Sequence, residues 1–108
     1  MEIIKMTKEH YSDVYELWLS CKGMGLNNLD DSEQGINRFL ERNPDTCFAA
    51  FEDNKVVGVI MAGSDGRRGY IYHTAVNPQY RKRGIATALV DAAMDAMKNI
   101  GINKGALV

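Results

Sequence analysis

An alanine-rich segment near the C-terminal end of the chain constrains the fold more than any other feature. From Gly84 onward the apolar residues recur at three- and four-residue spacing, which is typical of a helix with one buried face. Gly101 follows where glycine commonly ends a helix. The sequence therefore predicts a long helix packed closely against a sheet. Its apolar face consists of Ile85, Ala88, Leu89, Ala92, Ala93, Ala96, Met97 and Ile100.

The rest of the chain alternates between strand and helix patterns. Thr7 is placed to cap a first helix, whose stripe comprises Tyr11, Val14, Tyr15 and Trp18. A second helix is predicted to begin at Asp31 or Ser32 and to end before Pro44. Strands are predicted at residues 2–6, 47–52, 55–63, 70–76 and 106–108, with a tight turn at Asp53-Asn54. The predicted order is βααβββαβ, a mixed α/β (α+β) fold.

Size, charge and cysteine content exclude several classes of protein. A chain of 108 residues has room for one domain with one core and one ligand site. No apolar run approaches the roughly 20 residues that cross a bilayer, and the first residues are too charged for a signal peptide. We therefore expect a soluble, cytoplasmic protein without a membrane partner. Cys21 and Cys47 lack a second thiol or histidine at metal spacing, so we expect two buried free thiols and no metal.

Basic residues are concentrated in one segment of this otherwise acidic chain. Residues 66–90 contain five basic residues and no acid, and three of the five are the consecutive Arg81, Lys82 and Arg83 just before the alanine-rich helix. A helix N-terminus offers unpaired amides to an anion, and Gly84 lets a phosphate approach the backbone. The segment therefore predicts a phosphate site. A solvated basic loop is the alternative, and nucleic acid is not an expected partner because no aromatic residue is interleaved with the arginines.

The residues Arg81-Lys82-Arg83-Gly84-Ile85-Ala86 resemble the Q/R-x-x-G-x-G/A signature of the GNAT superfamily of acyl-CoA N-acyltransferases. A strand that ends in Ala75-Val76, with Pro78 after it, stands where the pantetheine-binding strand of that superfamily stands. The element order and the long helix agree with it too, so the resemblance covers the whole chain. It implies a predominantly antiparallel central sheet flanked by helices.

The resemblance also implies acetyl-CoA as co-substrate, without a metal. Strand backbone groups would pair with the pantetheine arm, amides of residues 81–86 would surround the pyrophosphate, and basic side chains would meet the remaining charge. The implied coenzyme-binding residues are Thr74, Ala75, Val76, Arg81, Lys82, Arg83, Gly84, Ile85, Ala86 and Thr87.

Enzymes of this superfamily often carry a general base four or six residues before the valine of the pantetheine strand. Tyr70 and Tyr72 occupy those positions here and are the implied catalytic residues. A tyrosine with a pKa near 10 is a poor base, but it can order a water relay. Regular alternation places both on the face of Thr74 and Val76. His73 then lies on the opposite face, where packing or a backbone hydrogen bond is expected and a catalytic role is the alternative.

Members of the superfamily usually continue past the fifth strand with another helix and two strands. Residues 1–108 thus resemble a single, truncated domain. Either the chain is a fragment or a second subunit supplies the missing wall, and the open strand edge leads us to expect a homodimer. The implied function is acetyl transfer from acetyl-CoA to a primary amine of a small molecule, peptide or protein, with loop 22–30 shaping the acceptor pocket. The alternative is a catalytically impaired acyl-CoA-binding module.

Overall fold

The structure is a computed structural model that describes residues 1–21, 31–102 and 105–107. Its elements follow the predicted βααβββαβ order. They are β1 (Glu2–Lys5), α1 (Tyr11–Ser20), α2 (Glu33–Arg42), β2 (Cys47–Glu52), β3 (Lys55–Ser64), β4 (Gly69–Val76), α3 (Ile85–Asn99) and β5 (Gly105–Leu107).

The five strands form one sheet in the order β1-β2-β3-β4-β5. The pairs β1–β2, β2–β3 and β3–β4 are antiparallel, and β5 runs parallel to β4. The predicted tight turn between β2 and β3 is confirmed, because Asp53 and Asn54 both have positive φ values, 53° and 63°. Two consecutive left-handed residues fit the twist of a hairpin, and Asp and Asn tolerate this conformation better than most side chains.

Hydrophobic residues on both faces of the sheet form two clusters. On one face α1 packs through Val14 and Trp18, and α2 packs through Ile36 and Leu40. On the other face α3 buries Ile85, Leu89, Ala93 and Met97, which are members of the predicted stripe. Ile100, also predicted for this stripe, is half exposed because the helix ends there.

Glycine at position 58 lets α3 approach the sheet closely. A Cβ at Gly58 would lie 2.9 Å from Cγ2 of Ile85 and 3.0 Å from Cδ1 of Leu89. A side chain here would therefore force the side chains of Ile85 and Leu89, or α3 itself, to shift. This close contact fixes the position of the first turn of α3 relative to the sheet.

The helix ends follow the predicted capping residues with one correction. Ser32 caps α2, and its hydroxyl accepts a hydrogen bond from the Gly35 amide at 3.1 Å. Gly101, with φ of 87°, follows α3 as predicted, and the Ile102 amide bonds back to the Met97 carbonyl at 2.9 Å. Thr7 does not cap α1 directly. It precedes a short 3-10 turn, Lys8–His10, and α1 begins only after that turn.

Two further features of the described residues are the length of the helices and the state of the two cysteines. No described helix combines the length and the apolar character that crossing a membrane requires. Cys21 and Cys47 are both buried and free, as predicted. Burial raises the pKa of the Cys47 thiol to about 12.

Candidate functional site

A cavity of about 450 Å³ opens between the C-terminal half of β4 and the start of α3. Nine of the ten residues predicted to bind the coenzyme line it, and Arg83 is the exception. The sequence analysis missed two lining residues, Cys21 and Tyr80. The lining residues are Cys21, Thr74, Ala75, Val76, Tyr80, Arg81, Lys82, Gly84, Ile85, Ala86 and Thr87.

The loop between β4 and α3 is built from a capped turn and two left-handed residues. Asn77 starts the turn Pro78–Tyr80 by accepting a hydrogen bond from the Gln79 amide at 2.9 Å. Lys82 and Gly84 then have φ values of 66° and 78°. A lysine seldom occupies the left-handed region, where it costs roughly 1–2 kcal/mol. Such strain is concentrated at functional sites, which singles this loop out.

The first turn of α3 presents unpaired amides to the cavity. The earliest helical hydrogen bond runs from the Ala88 amide to the Gly84 carbonyl, at 3.0 Å. The amides of Ile85, Ala86 and Thr87 donate to no residue in the described part of the chain. Together with the partial positive charge of the helix end, these donors suit an anion.

The cationic side chains of the loop are not neutralised by acids. Arg81, Lys82 and Arg83 form no ion pair with any described residue. Arg83 lies against the ring of Tyr80, with its guanidinium carbon 5.0 Å from the ring centroid, outside the cavity lining. The Lys55 ammonium lies 5.8 Å from the same centroid. The cavity entrance is therefore positively charged.

The outer edge of β4 is open beside this loop. In the described part of β5, its pairs with β4 are at Gly69, Tyr70 and Ile71. Among the described residues, no strand pairs with this edge of β4 from Tyr72 to Val76. Backbone groups on an unpaired edge can accept an extended ligand as an additional strand.

A β-bulge at Tyr72 corrects the predicted facing of two tyrosines. His73 pairs with Met61 and Ile71 pairs with the adjacent Ala62, which leaves Tyr72 without a partner residue on β3. The extra residue reverses the alternation for all positions before it. The expectation that Tyr70 and Tyr72 share a face with Thr74 and Val76 is therefore wrong.

Contacts on both faces establish the actual arrangement. The ring of Tyr72 meets Phe39 of α2 edge-on at 5.1 Å, and Tyr70 lies opposite Gly63, which faces Phe39 as well. His73 also faces the two N-terminal helices, as predicted. Val76 packs in the α3 cluster, on the opposite face. The two tyrosines thus lie on the side of His73, away from α3.

The predicted acceptor loop and the expectation of no metal both involve residues that the structure does not describe. Loop 22–30, predicted to shape an acceptor pocket, lies outside the described residues. Within residues 1–21, 31–102 and 105–107, no group of three or more potential metal-binding side chains occurs.

At this cavity a helix start with unpaired amides adjoins an edge of β4 that no described strand covers. The model of the acetyltransferase (GNAT) family matches residues 11–107. Two relatives named acetyltransferases, from Sodalis glossinidius and Photorhabdus laumondii, are each 41% identical over 90 residues. Those residues cover 83% of this chain and 62% of each relative, so the match spans less than two thirds of the relatives' length.

Solved structures show the same fold at low sequence identity. Ard1 from Thermoplasma volcanium superposes with a TM-score of 0.84 at 18% identity, over 98% of this chain and 69% of Ard1. The PaiA N-acetyltransferase from Thermoplasma acidophilum, solved with coenzyme A, gives 0.82 at 19% identity, over 98% and 77% of the two chains. The chain belongs to the GNAT acetyltransferase family.

Proposed function

We propose that the protein transfers the acetyl group of acetyl-CoA to a primary amine of a small molecule or peptide. The observation that carries the proposal is the single cavity that unites the open edge of β4 with the unpaired amides of α3. An elongated thioester with an anionic end fits both halves of this cavity. The cavity and family membership together favour acetyl-CoA over an unrelated anion.

The loop binds the diphosphate in this proposal. Amides of Ile85, Ala86 and Thr87 donate to phosphate oxygens, and Gly84 leaves room for their approach. Arg81 and Lys82, which line the cavity, supply compensating charge. A charge-assisted hydrogen bond contributes about 1.5–3 kcal/mol, so a few of them offset much of the entropic cost of association.

The open edge of β4 orients the pantetheine arm. Backbone groups of Thr74, Ala75 and Val76 pair with its amides as a neighbouring strand would, which brings the thioester close to the middle of β4. The sulfhydryl of Cys21 reaches the Val76 carbonyl at 3.6 Å and closes one side of this channel.

The reaction requires the acceptor amine in its neutral form. The amine nitrogen attacks the thioester carbonyl, the carbon–sulfur bond breaks, and the coenzyme leaves as a thiolate that takes up a proton. At pH 7 only about one lysine side chain in 2,500 is neutral, whereas about one α-amino group in six is. A lysine acceptor therefore depends more strongly on a general base. Tyr70 and Tyr72 remain predicted to order water near the reaction.

Calorimetric titration with acetyl-CoA, combined with a thiol-release assay over a panel of amines, tests the proposal. We expect micromolar binding and thiol release with at least one amine. Lys82→Ala should weaken binding about threefold to tenfold, since one exposed phosphate contact contributes roughly 1 kcal/mol.

Arg68→Ala provides the matched control, because it also removes one positive charge but lies outside the cavity lining. Its affinity should stay within twofold of the wild type. Acetyl-pantetheine, which lacks the diphosphate, should bind both variants equally. Binding without thiol release from any amine would refute the proposed transfer and favour a binding module.

A homodimer and a cytoplasmic location stay predictions from the sequence. Light scattering of the purified chain should give twice the monomer mass. A clean monomer at assay concentration would contradict the first of these predictions.

A further inference from the structure

A largely buried hydrogen bond between an imidazole and a carboxylate joins β4 to the start of α2. Nε2 of His73 lies 2.7 Å from Oδ1 of Asp31, although the two residues are 42 positions apart in sequence. The side chain of Asp31 is 7% exposed and that of His73 is 20% exposed. The pair is thus shielded from bulk water, but one edge of the imidazole remains accessible.

Neighbouring aromatic side chains hold the pair in place. The ring of Trp18 meets the imidazole edge-on, with 4.9 Å between centroids. The hydroxyl of Tyr11 donates to the Asp31 carbonyl at 2.8 Å. The titratable groups that interact with this phenol are Tyr15, Glu33 and Asp31. Burial raises the pKa of Tyr11, so the phenol is neutral at physiological pH.

The hydrogen bond to Asp31 determines which nitrogen of a neutral imidazole carries the proton. An ionised carboxylate has no proton to donate, so Nε2 of His73 must be the donor toward Asp31. In the neutral imidazole the lone pair then lies on Nδ1. Nδ1 hydrogen-bonds to none of the described side chains or backbone groups. A carboxylate that fixes the tautomer of a histidine and leaves the other nitrogen free is an arrangement suited to accepting protons.

His73 also lies next to the proposed thioester position. Thr74, its neighbour, lines the cavity, and none of the described residues of β5 pairs with β4 at this point. His73 projects from the same strand toward α1, on the face opposite to α3. An amine that approaches the thioester from the side of the two N-terminal helices passes this imidazole.

We infer that His73 is the general base of the reaction and that Asp31 is its positioning residue, an inference that rests on the proposed acetyl transfer. Nδ1 takes a proton from the amine as the amine nitrogen bonds to the thioester carbonyl carbon. The carbon–sulfur bond then breaks, and the proton passes from the imidazolium to the departing thiolate. His73 returns to its neutral form, and protons and charge balance.

The test compares His73→Gln with His10→Gln, the same substitution at the other histidine of the chain. We expect kcat/KM of His73→Gln to fall about 10²–10³-fold, within the range typical of general base catalysis. Its affinity for acetyl-CoA should stay within twofold of the wild type, which also shows that it folds. His10→Gln should behave as the wild type. Asp31→Asn should lower kcat about 10–100-fold, as expected for an orienting partner.

The pH profile separates catalysis from a structural role. Wild-type kcat/KM should decline at acid pH, because a protonated imidazole cannot accept another proton. His73→Gln should lack this decline. Protonation of the acceptor amine also lowers the rate at acid pH. Measurements with two acceptors of different amine pKa separate the two causes, because only the decline that is due to amine protonation moves with the pKa of the acceptor.

The tautomer of His73 provides a measurement that needs no turnover. Nitrogen-15 spectra of the full chain should show the proton on Nε2 at pH 8, and Asp31→Asn should show a mixture. A proton on Nδ1, or wild-type rates and pH profile in His73→Gln, would overturn the role of His73 while leaving acetyl transfer intact. Wild-type binding of acetyl-CoA without thiol release would instead refute the proposed function, and with it the catalytic role of His73.

Discussion

Two glycines at opposite ends of α3 allow backbone strain to be separated from occlusion of the coenzyme site. Gly84 and Gly101 have φ values of 78° and 87°, and in both cases a Cβ would meet no atom within 4 Å. Gly84 lines the cavity, whereas Gly101 does not. We therefore compare Gly84→Val with Gly101→Val.

Both substitutions should destabilise the fold by a similar amount. A side chain in the left-handed region costs about 1–2 kcal/mol, with valine toward the upper value. An unfolding entropy of about 2.1 cal/mol/K per residue over 108 residues then lowers Tm by about 4–9 °C. A domain of this size is stable by about 5–15 kcal/mol, so both variants stay folded.

Only Gly84→Val should lose affinity for acetyl-CoA. Its side chain projects into the mouth of the cavity, where it displaces the diphosphate from the α3 amides. Calorimetry should show at least tenfold weaker binding, about 1.4 kcal/mol, and less than a twofold change for Gly101→Val. Equal losses in the two variants would mean that strain rather than occlusion is responsible, and unchanged binding by Gly84→Val would refute the assigned loop.

Three other predictions concern the core and the titrating groups. Leu89→Ala should lower the free energy of unfolding by about 2–5 kcal/mol in urea titrations, because the side chain is fully buried; a loss below about 1 kcal/mol would contradict this packing. Cys47, whose pKa is raised by burial from 9.0 to about 12, should not react with a disulfide reagent at pH 8 until the protein unfolds. Between pH 9.0 and about 12 the Cys47 thiol keeps its proton in the folded state and loses it in the unfolded state, so the free energy of unfolding should decline over that range. Rapid labelling of the folded protein at pH 8 would contradict the burial of this thiol. The Asp65 carboxylate accepts hydrogen bonds from the backbone amides of Arg68 and Arg67, and these bonds lower its pKa. Carboxyl NMR should therefore give a titration midpoint below 3.8. A midpoint at or above that value would exclude these hydrogen bonds in solution.

The fold was largely predictable because its signals are local. The apolar stripe of α3, the turn at Asp53-Asn54 and the cap at Ser32 each depend on residues a few positions apart. The loop proposed to bind the coenzyme belongs to the same class, since Gly84 and the basic residues before it directly precede α3. Local propensity and final structure agree at these positions.

The features that the sequence did not predict depend on distant contacts. Cys21 enters the cavity lining because its thiol meets Val76, 55 residues away. The sequence offers Asp31 as a possible start of α2, and only its contact across 42 residues identifies it as the partner of His73. Arg83 lies outside the cavity lining because its guanidinium packs against the Tyr80 ring. Periodic patterns along the sequence do not indicate which distant residues come into contact.

The bulge at Tyr72 explains why one strand can form both sides of the site. Within the described residues, β5 pairs with β4 from Gly69 to Ile71, the residue directly before the bulge. Because a bulge bends its strand and increases the local twist, the part of β4 after Tyr72 is turned relative to the part before it. The same extra residue lets Ile71 pack in the α3 cluster while His73, two positions later, faces Asp31. In a strand with regular alternation, Ile71 and His73 would share a face, and either the core contact or the hydrogen bond to Asp31 would be lost. The extra residue at Tyr72 thus lets the core contact of Ile71 and the contact of His73 with Asp31 exist on the same strand.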